Sequence, residues 1–146
     1  MQDDKTVLHT SGRVDACNGQ QAADLHALHS YWAGLCEGAE VPRRSDIDPR
    51  RIGGLLSNAF IAERIAPGVT RLRVAGLHLN VLMGMEVRGM PLSSFIAPAA
   101  REAFALALAD LFERPARLEI DLYAKAGLGR PEMTGRLMLW PLRSDL

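Results

Sequence analysis

The feature that most constrains the fold of this 146-residue chain is a pair of strand hairpins separated by helical segments. Residues 117–123 alternate polar and apolar side chains, as in a strand that is buried on one face only. The four predicted strands are residues 58–65, 69–75, 117–123 and 133–142. Hairpins at both ends with helices between them predict an α+β fold, in which helices cover one face of an antiparallel sheet.

Two longer helices are predicted where apolar side chains recur every three or four residues. The first runs from about residue 22 to before Gly38, and the second from 99 to 114. Their apolar stripes are Leu25, Leu28, Trp32, Leu35 and Cys36 in the first helix, and Ala100, Phe104, Ala107, Leu108 and Leu111 in the second. Shorter helices are predicted from Asp48-Pro49 to residue 55 or 56, and over 77–83.

Composition limits the function classes. Lys+Arg and Asp+Glu balance at 17 each, so the basic footprint of a nucleic-acid-binding protein is absent. No apolar run approaches the roughly 20 residues that cross a bilayer. Residues 1–20 are predicted to be a flexible leader without a secretory signal, before one domain over 21–146. Cys17 and Cys36 form no disulfide framework, which indicates a reduced, cytoplasmic protein with Cys36 as a small core residue.

Candidate residues for metal binding or catalysis are few. His26 and His29 lie three residues apart on the first predicted helix, but no third and fourth ligand accompany them, so no metal site is predicted. No nucleophile motif of the hydrolases occurs, so no catalytic residue is predicted. An enzyme with a cavity carboxylate as its base, Glu86 or Asp121, remains as an alternative, although the pattern places both acids near the surface.

Several short motifs follow one another in an order that is distinctive as a whole. They are Tyr31-Trp32, Pro42-Arg43-Arg44-Ser45-Asp46-Ile47-Asp48-Pro49, Arg71-x-Arg73-x-x-Gly76, Gly84, Glu86-Val87-Arg88-Gly89 and Trp140-Pro141-Leu142. Each motif is weak alone. Their shared order and spacing, over roughly residues 25–142, resemble the bacterial PAS-like domains of the PAS_5 family.

The resemblance implies a non-enzymatic domain that senses a small molecule or mediates a protein contact in bacterial signalling or regulation. A ligand pocket is expected between the inner face of the sheet and the helices. Its candidate lining residues are Trp32, Phe60, Leu72, Val74, Leu79, Phe104, Leu108, Ile120, Leu122, Leu139 and Trp140. Alternation along the second strand places Leu72 and Val74 on the inner face. The polar candidates at the mouth of the pocket are Arg71, Arg73 and His78.

The resemblance also bears on cofactors and partners. No cofactor is expected, because the helix over 99–114 has no histidine for haem and the Asn-Cys-Arg signature of photoreactive flavin domains is absent. A homodimer through the first helix and a regulatory protein partner are implied, with the signal passed by a shift between two packings of helices on the sheet. A ligand-free interaction or dimerisation module, with a fully packed interior, is the main alternative.

The chain departs from the family pattern at three places. Leu77 follows Gly76 where the family usually has Thr, and Glu86 stands where Asp is usual. The final PAS strand, which lies between the first and fourth strands, is apparently missing from the sequence. Either the C-terminus is incomplete, or another segment takes that place, such as residues Thr6-Val7-Leu8 or a partner chain.

Overall fold

The computed structural model describes residues 7–9, 19–113, 117–129 and 131–145. The strands are β1 (Val7–His9), β2 (Phe60–Ala66), β3 (Val69–Ala75), β4 (Leu118–Ala124) and β5 (Met133–Leu139). The α-helices are α1 (Gly19–Leu35), α2 (Pro49–Ile52), α3 (Leu77–Met83) and α4 (Arg101–Glu113). The mixture of helices with two small antiparallel sheets confirms the predicted α+β class.

The strands form two separate sheets over one core. β2 and β3 pair antiparallel as a hairpin, and β4 and β5 do the same, as predicted. β1 extends the second sheet by pairing with the other edge of β4, which gives the order β1-β4-β5. The short N-terminal strand β1 therefore pairs with an outer edge of β4. It does not lie between β2 and β5, which are the predicted first and fourth strands, so it does not take the place of the final PAS strand.

The core lies where both sheets meet α4 and the loop before it. Its buried members are Leu72, Val87, Leu92, Ile96, Phe104 and Ile120. Phe104 and Leu111 are the buried residues of α4, seven positions apart on one face. The loop over 84–97 is irregular, as predicted, yet it supplies Val87 and Ile96, which are at most 1% exposed. This loop is therefore part of the core and is not a surface connection.

A β-bulge in the first hairpin changes which side chains face the core. Ile61 lies opposite Val74 and Ala62 lies opposite Leu72, so Arg73 is the extra residue of β3. The extra residue reverses the alternation: Ala75 packs against the core, and Val74 is 46% exposed. The prediction that Leu72 and Val74 share the inner face is therefore wrong, and Val74 is not an interior residue.

Local capping signals predicted several element ends. α3 has the predicted bounds and ends at Gly84, whose φ of 70° is left-handed. Asp48 caps α2 by accepting a hydrogen bond from Arg50 N. α2 itself is shorter than predicted, because the chain tightens into a 3₁₀ helix over Gly53–Asn58. Within the part of the chain that the structure describes, no helix is long and apolar enough to cross a membrane.

Candidate functional site

α1 lies on the face of the β4–β5 sheet that is opposite the core. A cleft of about 160 Å³ separates them, lined by Ala22, Leu25, His26, His29, Arg117, Arg136 and Met138. Arg136 and Met138 alternate along β5 with the core-packing Leu137 and Leu139, so they point to the other side of the sheet. None of the 17 residues of α1 is buried. α1 therefore lies on the outer face of this sheet, whereas the sequence predicts helices on one face only.

Polar bonds anchor α1 to the segment that follows β5. Trp32 Nε1 donates a hydrogen bond of 2.9 Å to the carbonyl oxygen of Pro141. Trp140 Nε1 donates at 2.9 Å to His29 Nδ1. The imidazole of His29 also stacks against both indoles, with ring centroids 6.0 Å from Trp32 and 5.9 Å from Trp140. We call the contact of His29 and Trp32 with Trp140 and Pro141 the α1 junction.

The Pro42–Pro49 motif contacts both segments that form the α1 junction. The chain after Pro141 runs parallel to this motif: Arg44 N donates to Arg143 O at 2.9 Å, and Arg143 N donates to Pro42 O at 2.8 Å. The hydroxyl of Tyr31, next to Trp32, accepts from Asp48 N at 2.9 Å. Three of the motifs from the sequence, separated by up to about a hundred residues, therefore meet at one place.

Two carboxylates beside the α1 junction have lowered pKa values. The hydrogen bonds from the side chain and backbone of Ser45 hold the pKa of Asp145 below 3.8, the ordinary value. The hydrogen bonds that Asp48 accepts from the side chain and backbone of Arg50 lower its pKa in the same way. Both carboxylates are therefore ionised at neutral pH, and they stabilise their loops by accepting hydrogen bonds from backbone N–H groups.

The Arg71-x-Arg73-x-x-Gly76 motif contacts two other backbone segments, one at Gly89 and one at Leu56 and Ser57. Arg71 Nη1 donates to the carbonyl oxygen of Gly89 at 2.9 Å, which ties the loop to β3. Gly76 passes so close to the backbone carbonyls of Leu56 and Ser57 that a Cβ atom would collide with them. These residues position backbone segments, which explains why an arginine and a glycine stand there.

The predicted pocket residues other than Val74 lie in two places. Leu72, Phe104 and Ile120 are buried members of the core. Other candidates pack against that core as half-buried side chains: Phe60, Leu79, Leu108, Leu122 and Leu139. Trp32 and Trp140 lie instead at the α1 junction, on the other side of the sheet. The structure therefore does not bring the predicted lining residues together around one space.

The three polar candidates are exposed, with Arg71 and Arg73 on β3 and His78 on α3. Arg73 Nε lies 2.8 Å from Glu63 Oε2, so this guanidinium group already has an acidic partner. Arg71 is occupied by Gly89 O, and His78 is exposed on α3. Because each arginine has a partner within the chain, the structure offers no shared mouth formed by these residues.

Residues considered for metal binding or catalysis have other partners or surroundings. Among the described residues there is no group of three or more His, Cys, Asp or Glu side chains that could hold a metal ion. Asp121 lies 2.9 Å from Arg136, and the side chain of Glu86 is 70% exposed. Cys36 is half-buried next to the carbonyl of Trp32, outside the core that was predicted for it, and Cys17 lies outside the described residues.

His29 is the site residue whose role the sequence analysis does not predict. The sequence drew attention to His26 and His29 as a possible ligand pair, but only His29 has aromatic partners at the α1 junction. A signal was present: His29 precedes Trp32 by three residues, which places their rings one above the other on a helix. The contact with Trp140 joins residues 111 positions apart, which spacing does not predict.

Comparison with known proteins identifies the domain. The family model PAS_5, described as a PAS domain, matches residues 20–146, which is most of the chain. No match was found among curated proteins or among solved structures. The family match extends across every element from α1 to β5, including the α1 junction. The chain therefore belongs to the PAS_5 family of PAS domains, which are sensory or interaction modules.

Proposed function

We propose that this PAS domain is a non-enzymatic, cytoplasmic module of bacterial signalling that acts by protein contact through α1. The observation that carries the proposal is the solvent exposure of α1. It has an apolar stripe, including Leu25, Leu28 and Leu35, yet none of its residues is buried by the domain. A helix of which no residue is fully buried, either in this stripe or on the side away from the sheet, has surface left to bury against a partner.

The packing of the core supports contact over ligand binding inside the domain. The expected pocket position is occupied by side chains that pack on one another, and Leu72, Ile96 and Phe104 are each 1% exposed. Interiors packed in this way resist the insertion of additional atoms, which forces side chains and backbone to shift. Among the functions that were considered, the interaction module therefore has the stronger support.

A second copy of this chain is the first partner that we propose for α1. The outward side of the helix carries a row of small exposed residues, Ala23, Ala27, Ser30 and Gly34, spaced four, three and four apart. This spacing keeps the row on one side of the helix, and small side chains let two helix backbones approach closely. A homodimer would thus cover the side of α1 that faces away from the sheet.

A regulatory protein partner is proposed for a different surface. Leu77 and Val81, one turn apart on α3, are 72% and 69% exposed, and Met85 just beyond the helix is 52% exposed. Three large apolar side chains in a row form a surface that protein partners commonly cover. Because this surface lies on α3, the partner and the second copy would not compete for the same helix.

Small-molecule sensing is the second candidate function, and one observation favours it. The cleft beneath α1 has room for a small ligand and is lined by His26, His29, Arg117 and Arg136. A ligand bound there would contact α1 directly, and would bias α1 towards one of two packings on the sheet.

Native mass spectrometry beside a denaturing spectrum tests these proposals together. We expect a dimer in the native spectrum, and its loss in the variant Ala27→Glu, which places a charge in the proposed contact. Ala105→Glu, at an exposed position of α4, is the matched control and should remain a dimer. A monomeric wild-type protein would contradict the dimer, and extra mass that is lost on denaturation would favour the sensing function.

A further inference from the structure

The bond between His29 and Trp140 depends on the protonation state of the imidazole. Trp140 Nε1–H donates to His29 Nδ1, so Nδ1 is an acceptor without hydrogen and the ring hydrogen is on Nε2. In the protonated imidazolium both ring nitrogens carry hydrogen and neither accepts. Rotation of the ring cannot restore the bond, because either nitrogen would then present a hydrogen to the indole N–H.

Charged groups lie on the elements that line the cleft and on the segment after β5, where Arg143 pairs with Glu40 and Asp145 accepts from Ser45. His26 lies on α1, Arg117 immediately before β4, and Arg136 on β5. The nearby carboxylates are already engaged: Glu119 and Asp121 lie 3.3 Å and 2.9 Å from Arg136 Nε. A proton on His29 therefore adds positive charge to a cleft that already contains two guanidinium groups.

The stacked indoles favour the protonated imidazole, but they do not preserve the hydrogen bond between Trp140 and His29. An imidazolium next to the faces of Trp32 and Trp140 gains a cation–π attraction. This attraction acts on the ring faces and needs no acceptor nitrogen. The imidazolium therefore stays close to the indoles, while Trp140 Nε1–H loses its acceptor and α1 loses one of the two hydrogen bonds of the α1 junction.

We propose that the α1 junction is a pH-sensitive clamp: protonation of His29 releases the side chain of Trp140 and loosens α1 from the sheet. The clamp is a property of one chain, and only its consequence for signalling rests on the proposed function of α1. The clamp is closed while His29 is neutral and accepts from Trp140, and it is released when His29 takes up a proton.

Nuclear magnetic resonance of the whole chain tests the clamp directly, since the chain has two tryptophans and therefore two indole N–H signals. On acidification from pH 8 to pH 5 we expect the Trp140 indole signal to move upfield as its hydrogen bond is lost. Amide signals of α1 should move with the same midpoint, while those of the buried face of α4 should stay in place. An unchanged Trp140 signal, or a moving Trp140 signal with static α1 amides, would overturn the proposal.

Matched variants assign the transition to one histidine. In His29→Gln the amide oxygen accepts from Trp140 without titrating, so the coupled movement of α1 should be lost. His26→Gln removes an imidazole that lines the same cleft but has no bond to Trp140, and should keep the movement. Loss of the transition in His26→Gln, or its persistence in His29→Gln, would overturn the proposal. If His29→Gln does not fold, the wild-type titration alone decides.

The same titration in Ala27→Glu separates the clamp from the proposed function. A monomeric wild-type protein in the mass spectrum would contradict α1-mediated dimerisation, while Trp140 and α1 signals that move together with pH in either protein would still support the clamp. A dimer whose α1 amide signals do not change with pH would be consistent with the proposed function and would overturn the clamp.

Discussion

α1 and α4 are predicted by the same sequence signal but have different surroundings. Each has apolar side chains at three- and four-residue spacing. α4 buries Phe104 and Leu111 between the sheets and the loop over 84–97, whereas α1 buries none of its 17 residues. Hydrogen bonds from Trp32 and to His29 hold α1 on the outer face of β4–β5.

This difference shows that periodicity identifies an amphipathic helix but not how completely its stripe is buried. A side chain that is fully buried contributes the whole free energy of transfer from water, and a half-buried side chain contributes part of it. Most of the stability of α4 should therefore come from the core, and α1 should depend on a few polar bonds. In this account α4 belongs to the rigid body of the domain, and α1 is the element that can change its packing.

The largest expected effect is the loss of Phe104, which is 1% exposed in the centre of the core. Phe104→Ala removes an aromatic ring and leaves a cavity, and should lower the free energy of unfolding by about 3–5 kcal/mol. The matched control is Leu106→Ala on the same helix, 69% exposed, which should change it by less than about 0.5 kcal/mol. Urea denaturation measures both, and similar losses would contradict the assigned orientation of α4.

A pair of leucines compares the two helices at equal chemistry. Leu111→Ala in α4 removes a side chain that is 5% exposed and should cost about 2–5 kcal/mol. Leu28→Ala in α1 removes a half-buried leucine of the predicted stripe and should cost about 1 kcal/mol. Both values come from urea denaturation at neutral pH. A larger loss for Leu28→Ala would mean that α1 is part of the cooperative core.

A smaller effect is expected from the indole bond of the α1 junction. Trp32→Phe keeps an aromatic ring on α1 but removes the donor to the carbonyl of Pro141, and should cost about 1 kcal/mol. Amide exchange in α1 should accelerate by more than exchange in α4, because the bond connects only α1 to the segment after β5. Uniform acceleration in both helices would show that α1 unfolds together with the core.

The smallest effect is a pH dependence from Asp48, whose backbone N–H is bound by Tyr31 of α1. Its pKa is lowered below 3.8 by the hydrogen bonds from Arg50, so its stabilisation is complete above this value and is lost as the pH falls through the lower, folded value. Asp48→Asn should therefore be less stable than wild type at pH 7, with a difference that narrows towards pH 3. Glu37→Gln, which removes one exposed carboxylate outside the helices, controls for net charge. A constant difference at both pH values would contradict the role of the charge.

Sequence reasoning succeeded where the signal is local. The bounds of β3 and α3, the left-handed Gly84 and the cap at Asp48 all follow from residues within a few positions of one another. The position of Val74 could not be predicted, because the bulge at Arg73 arises from pairing with β2. Pairing between strands determines such irregularities, and the alternation within one strand does not predict them.

The candidate site could be predicted only as a set of motifs. Tyr31-Trp32, Pro42–Pro49 and Trp140–Leu142 were recognised by their order, but their meeting point depends on contacts between residues 17 to 111 positions apart. The same limit applies to the expected pocket: most of the predicted lining residues are core residues, and the structure shows that these pack against one another. Whether apolar side chains leave a cavity depends on how their shapes fit, which their spacing does not specify.

Native-state amide hydrogen exchange on the wild-type protein at neutral pH tests the contrast between α1 and α4 most directly. The account predicts that α1 amides exchange by local opening, about tenfold or more faster than the buried-face amides of α4, with little dependence on low concentrations of urea. The buried-face amides of α4 should exchange only through global unfolding. Equal protection of the two helices, with the same dependence on urea, would contradict the account.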